Sequence, residues 1–86
     1  MTLEIEVLGP GCKNCDTLYE TVIKALETAG LSDKSRVEKK TDIDYFLKKG
    51  VFSTPGLVIN GEVVSVGRVL TRDQILDVLR KKKILD

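Results

Sequence analysis

The residues of this chain with the clearest chemical capacity are its two cysteines, Cys12 and Cys15, which are separated by two residues. The chain has no other cysteine and no histidine. The pair follows a short strand-like segment, broken by Gly9-Pro10-Gly11, and it precedes a long amphipathic helical pattern. A C-x-x-C pair at a helix N-terminus is suited to reversible dithiol–disulfide exchange. The spacing therefore predicts redox chemistry of thiols.

The two sulfurs are predicted to have different roles. Cys15 lies on the same helical stripe as Leu18 and Val22, so we expect it to face the core. Cys12 precedes it at the helix mouth, where unpaired N–H groups and the helix dipole favour a thiolate. Lys13 adds a positive charge, and we expect the pKa of Cys12 to fall below the ~8.5 of a free cysteine. Cys12 is therefore the predicted nucleophile and Cys15 the resolving thiol.

Length and composition are those of an ordinary globular domain. The chain has 86 residues, 42% hydrophobic and 31% charged, and we expect one domain covering residues 1–86. The net charge of +1 gives no electrostatic reason to expect nucleic acid or an anionic membrane as a partner. No apolar run approaches the roughly 20 residues of a membrane span, so a cytoplasmic location is expected. No glycine-rich dinucleotide loop follows a predicted strand, and we expect no cofactor.

The first half of the chain alternates strand and helix patterns. Residues 3–8 alternate as a strand, and a helical stripe follows the cysteines until Gly30, which is typical of a helix C-terminus. Residues 37–41 predict a short edge strand. Asp42 can cap a second helix that Gly50 ends. The residues expected to face inward from this helix are Ile43, Phe46 and Leu47.

The second half predicts a hairpin and a final helix. Residues 56–59 form an apolar run, Asn60-Gly61 is a strong signal for a two-residue turn, and residues 62–66 form the return strand. Thr71 and Gln74 match a capping box at the start of the last helix. The complete order is β-α-β-α-β-β-α, which belongs to the α/β class.

Thr54-Pro55 is the second motif of interest. It lies just before an apolar core strand, where proline is tolerated only at a first position or a bulge. A cis peptide bond is a common way to make so sharp an entry, and it exposes the neighbouring backbone groups. The alternative is a trans turn proline with no functional part.

Together the two motifs resemble those of the thioredoxin/glutaredoxin superfamily, and most closely its small prokaryotic thioredoxin-like redox-active disulfide proteins. The resemblance covers essentially the whole chain. It implies a four-stranded mixed sheet flanked by three helices, with the C-x-x-C on the first helix. It also implies a cis Thr54–Pro55 bond packed against the disulfide, with the adjacent backbone pairing with substrate around the attacked cysteine.

The resemblance also suggests partners and one further residue. Disulfide-containing proteins are the implied substrates, and a thioredoxin-reductase-like flavoenzyme or a small thiol is the implied electron source. Glu6 lies six residues before Cys12, where thioredoxins place a buried aspartate, and is a candidate proton acceptor. The alternative is a charged residue on a partly wetted strand face. Val66-Gly67-Arg68-Val69 replaces the glutathione-binding signature of glutaredoxins, so glutathione use is not expected.

Metal binding is the alternative to redox chemistry. A structural zinc site needs four nitrogen or sulfur ligands, and this chain offers two thiols, so no such site is predicted. Two thiolates do suit Cu(I), and copper transfer is kept as the alternative function. Small copper-carrying domains usually have methionine where this chain has Pro10, run β-α-β-β-α-β and end in a strand. A redox-silent interaction module on the same fold is the third hypothesis.

Overall fold

The computed structural model describes residues 3–11 and 13–82, so Cys12 lies outside the described residues. Within those ranges the chain forms four strands, three α-helices and one 3-10 turn at Ser32–Lys34. The strands are β1 (Leu3–Leu8), β2 (Ser35–Lys40), β3 (Gly56–Ile59) and β4 (Glu62–Val66). The helices are α1 (Lys13–Ala29), α2 (Ile43–Lys48) and α3 (Arg72–Lys81). None of the described helices is both long and apolar enough to cross a membrane.

The strands form one mixed sheet in the order β2-β1-β3-β4. β1 pairs in parallel with β2 and antiparallel with β3, and β3 pairs antiparallel with β4. Leu8 at the carboxyl end of β1 lies opposite both Lys40 and Gly56. The predicted α/β fold, with a four-stranded mixed sheet and three helices, is therefore confirmed for the described residues.

Helices cover both faces of the sheet. α1 and α3 pack against one face. The side chains of Leu3, Ile5 and Val7 in β1 all project toward this face, because successive strand residues alternate between faces. The smaller helix α2 covers part of the other face. The larger cluster includes Leu3, Ile5, Val7, Leu18, Val22, Leu26, Leu57, Ile59, Ile75 and Leu79. The smaller cluster contains Leu8, Phe46, Val51 and Val58.

Most of the helix caps and turns predicted from local sequence are present in the structure. Asp42 caps α2 by accepting a hydrogen bond from the Asp44 N–H at 3.0 Å. Thr71 and Gln74 form the predicted reciprocal capping box at the start of α3. The turn after β3 is fastened to β1, since the Asn60 N–H donates to the Glu4 carbonyl at 2.7 Å. In return the Glu4 N–H donates to Asn60 Oδ1 at 2.9 Å.

The inward face of α2 was predicted wrongly. Ile43 and Leu47 are 63% and 53% exposed, and only Phe46 of the three expected residues is buried. Tyr45 is half-buried and packs with Phe46 against the smaller cluster. The reason is that α2 has six residues, fewer than two turns, and so presents only a narrow strip to the sheet. β2 also begins at Ser35, two residues before the predicted start.

Candidate active site

Cys15 lies in the first turn of α1, with its side chain directed into the protein. It is only 4% exposed, as its position on the Leu18 and Val22 stripe predicts. Lys13, the first residue of α1, is exposed to solvent. Cys12 lies outside the described residues, so its place in the site stays a prediction. The sheltered member of the pair is thus where the sequence predicts it.

Gly9 packs directly against Cys15. A Cβ atom added at Gly9 would lie 2.1 Å from Cys15 Sγ, which is closer than non-bonded atoms approach, and 3.0 Å from Cys15 Cβ. The backbone of Gly9 is also held, because its N–H donates to the Lys40 carbonyl at 2.9 Å. This residue was interpreted from the sequence only as part of a strand break. The sequence signal that could have identified the role of Gly9 was its position between the first strand and the cysteines.

The Thr54–Pro55 bond is cis, as expected. The Pro55 side chain is fully buried, whereas Thr54 is exposed. Thr54 Cβ lies 3.8 Å from the position that a Cβ on Gly9 would occupy, so this loop reaches the glycine that contacts Cys15. Among the described residues no hydrogen bond uses the N–H or C=O of Thr54. The end of β1, the start of α1 and the cis-proline loop therefore meet at one end of the sheet.

An ion pair fixes the start of α1 against β2. Lys39 Nζ lies 3.0 Å from Asp16 Oδ1, and it also lies 4.6 Å from the centre of the Tyr19 ring. Asp16 directly follows Cys15 in the chain. The pair joins residues 23 positions apart, so no local sequence signal could have found it. Lys39 therefore helps to hold the helix turn that carries Cys15.

Glu6 belongs to a polar cluster on the face of the sheet that α2 covers. It lies opposite Val58 of β3, whose side chain packs in the smaller cluster. Tyr45 Oη donates to Glu6 Oε1 at 2.6 Å, and Lys40 Nζ lies 3.9 Å from Glu6 Oε2. Lys40 also lies 3.0 Å from Glu38 Oε2. Glu6 is therefore tied to α2 and to β2 at once.

These contacts shift the pKa values of Glu38, Lys40 and Tyr45, each in the direction that its charged neighbour favours. The hydrogen bond and attraction of Lys40 lower the pKa of Glu38, and the same pair raises the pKa of Lys40. The pKa of Tyr45 rises to about 12, first because its proton is held by Glu6 and then because the phenol is partly desolvated. Tyr45 therefore stays protonated throughout the neutral range.

Comparison with known proteins agrees with this arrangement. A thioredoxin-domain family model matches residues 3–80. The chain belongs to the thioredoxin family. A thioredoxin of Methanothermobacter thermautotrophicus is 31% identical over 77 residues, which are 90% of this chain and 97% of the relative. A thioredoxin of Methanocaldococcus jannaschii is 32% identical over 76 residues, which are 88% of this chain and 85% of the relative.

Membership of the thioredoxin family gives the general activity, which is that of a thiol–disulfide oxidoreductase. Thioredoxins act on disulfides of other proteins and receive their electrons from a reductase partner. In this thioredoxin-family chain the structure brings Cys15, Thr54 and Pro55 to one end of the sheet. The assignment of Glu6 as proton acceptor stays a prediction, and the geometry adds Tyr45 as the residue that holds its carboxylate.

Replacing Tyr45 with phenylalanine should reveal the bond to Glu6 in the pH dependence of stability. Because the folded pKa of about 12 exceeds the ordinary value of 10, the stabilisation is complete below pH 10 and is lost as pH rises toward 12. We expect Tyr45→Phe to lower the free energy of unfolding by about 1 kcal/mol at pH 7, with a smaller difference from wild type at pH 12. Urea unfolding between pH 7 and 12 measures this difference.

Tyr19→Phe is the matched control for this measurement. Tyr19 is half-buried, and none of the hydrogen bonds among the described residues uses its hydroxyl, while phenylalanine would keep the ring beside Lys39. Its stability should follow that of wild type at neutral pH. A Tyr45→Phe protein whose difference from wild type stays constant from pH 9 to 12 would contradict the assigned bond.

Proposed function

We propose that Cys12 and Cys15 form the redox centre of a protein disulfide reductase, with Cys12 as the nucleophile and Cys15 as the resolving thiol. The observation that carries this proposal is the sheltered position of Cys15. Its side chain is buried, Gly9 lies against its sulfur, and the cis-proline loop lies beside that glycine. A dithiol centre needs one such protected sulfur next to an accessible one.

The reaction has two exchange steps. The Cys12 thiolate attacks one sulfur of the substrate disulfide, the substrate S–S bond breaks, and the departing thiolate takes up a proton. Cys15 then loses its proton and attacks Cys12 Sγ, which releases the second substrate thiol and leaves a Cys12–Cys15 disulfide. The substrate gains two electrons, and the protein loses two. A flavoenzyme reductase or a small thiol then restores the dithiol.

Three other groups have supporting roles in this mechanism. The N–H and C=O of Thr54, which form no hydrogen bond among the described residues, are available to pair with the substrate backbone beside the attacked disulfide, and Pro55 holds that segment against the protein. The positive charge of Lys13 favours the Cys12 thiolate. Glu6 stays the acceptor for the Cys15 proton that the sequence suggests, and its carboxylate lies on the sheet face covered by α2, opposite the face covered by α1. The domain extent of residues 1–86 and the cytoplasmic location stay predictions.

The order of helices and strands does not support the alternative function, copper transfer. The copper-carrying domains considered above run β-α-β-β-α-β, whereas here α2 follows β2 and α3 follows β4. Neither of the two relatives has a name that indicates a metal carrier. No specific observation therefore favours the alternative.

The test is a stoichiometric reduction of a neutral disulfide. The fully reduced protein, freed of excess reductant, should convert one bis(2-hydroxyethyl) disulfide per chain into two thiols and become oxidised itself. Thiol release and the mass of the alkylated protein measure both halves of the exchange. A protein that binds Cu(I) tightly through both thiols and leaves the disulfide unreduced would contradict the proposal.

A further inference from the structure

Two exposed side chains lie on either side of the cis-proline loop. Phe52 precedes the loop and is 81% exposed, the largest exposed fraction of any large apolar side chain among the described residues. Arg68 lies in the segment after β4 and is also exposed. None of the ion pairs among the described residues involves Arg68. The side chains of Phe52 and Arg68 are therefore accessible to a binding partner beside the candidate site.

Gly67 holds Arg68 next to this loop. The Gly67 N–H donates to the Pro55 carbonyl at 2.8 Å. A Cβ atom at Gly67 would lie 2.9 Å from Ser53 Cβ, and its φ of +71° also favours glycine. The backbone just before Arg68 is therefore in direct contact with the segment that carries Thr54. This contact places the backbone of Arg68 at the border of the site.

The unpaired charges differ between the two edges of the sheet at this end. The exposed Asp42 and Asp44, which belong to no ion pair among the described residues, follow β2 at one edge, whereas Arg68 follows β4 at the other. Lys13 at the start of α1 is exposed and belongs to no ion pair among the described residues. Asp16 is the acidic residue nearest to the cysteines in sequence, and Lys39 neutralises it at 3.0 Å. A substrate that lies beside the cis-proline loop and the start of α1, away from the β2 edge, therefore meets Lys13 and Arg68 as unneutralised charges. Such an arrangement favours a partner with negative charge.

We propose that this border selects protein disulfides flanked by acidic side chains. Arg68 forms an ion pair with a substrate carboxylate, and Phe52 gives an apolar contact to the same extended segment. The proposal rests on the proposed disulfide reductase function and names the substrate class of that site. It assigns Arg68 as a specificity-determining residue that takes no part in the chemistry of the sulfurs.

The test compares two disulfide peptides that differ only in having glutamate or lysine next to their cysteines. At low ionic strength we expect kcat/KM to be roughly fivefold higher for the glutamate peptide, and added salt should reduce this preference. Arg68→Glu should reverse the preference. Phe52→Ala should lower kcat/KM for both peptides equally. The neutral bis(2-hydroxyethyl) disulfide should react at the wild-type rate with both variants.

Arg36→Glu is the matched control, because it makes the same change in net charge. Arg36 lies opposite Glu4, about 16 Å along β1 from Gly9, and should leave the peptide preference unchanged. Equal kcat/KM for both peptides, or the same result for Arg68→Glu and Arg36→Glu, would overturn the assigned specificity. Failure of the wild type to reduce the neutral disulfide would instead overturn the proposed function on which it rests.

Discussion

Replacing Cys12 with serine should abolish disulfide reduction, whereas Cys15→Ser should still attack and then stop at the mixed disulfide. The first step needs a thiolate at Cys12, and only the second step needs Cys15. A reaction with excess bis(2-hydroxyethyl) disulfide, followed by mass spectrometry without reductant, measures the difference. The Cys15→Ser protein should carry one 2-mercaptoethanol adduct, and the Cys12→Ser protein should carry none, because its remaining thiol is buried.

The same pair of variants also separates redox chemistry from metal transfer. A copper carrier would lose Cu(I) binding in both variants alike, and its wild type would bind the ion without reducing the disulfide. The rate of Cys12 alkylation against pH should give a pKa below ~8.5 in the reduced wild type. Purification of Cys15→Ser from its own cells should also identify the natural substrates, since they would remain disulfide-linked to Cys12. Equal loss of function in both variants without any adduct would refute the assigned roles.

Replacing Gly9 with alanine should damage both stability and exchange. The added Cβ would overlap Cys15 Sγ, so the first turn of α1 or the end of β1 would have to move. Overpacking of this kind usually costs about 1–3 kcal/mol, and we expect a loss in the upper part of that range because the Cys15 side chain that the added Cβ would meet is short and buried. Urea unfolding measures the stability, and reduction of the neutral disulfide measures the exchange.

Gly56→Ala is the matched control for overpacking elsewhere. A Cβ at Gly56 would meet Val51 Cγ1 at 2.9 Å and Leu8 Cβ at 3.5 Å, on the face covered by α2. This variant should also lose stability, but the fraction that remains folded should exchange at the wild-type rate. If Gly9→Ala retained wild-type stability and exchange, the close contact with Cys15 would have no consequence, and the assignment of Gly9 would be wrong.

Local sequence patterns predicted the helices, strands and turns. Contacts between residues distant in the chain determined which side chains are buried and which partners they bind. The capping box of Thr71 and the Asn60-Gly61 turn were predictable, because each is determined by neighbours within a few residues. Cys15 was predictable because α1 has 17 residues, and its stripe is long enough to define one buried face. The resemblance of the Thr54-Pro55 motif correctly indicated a cis bond.

Where the sequence failed, the missing information was distant in the chain. The exposed Ile43 could not be predicted because α2 is too short for its own pattern to define which side meets the sheet. Tyr45 and Glu6 are 39 positions apart, so their hydrogen bond depends on how α2 crosses β1. Glu6 was either a wetted surface charge or a buried acid. In the structure Glu6 is half-buried and accepts a hydrogen bond from Tyr45, so its exposure lies between those two expectations.

The two hydrogen bonds between Asn60 and Glu4 have a consequence for the other end of the sheet. They fix the turn at one end of β3, and Pro55 precedes the other end, so the four residues of β3 act as a spacer of about 13 Å. A one-residue insertion or deletion there would move Pro55 relative to Gly9 and would also reverse which side chains face α1. The strand length, set far from the sulfurs, therefore determines where a substrate backbone can lie. Any redesign of the hairpin must preserve it.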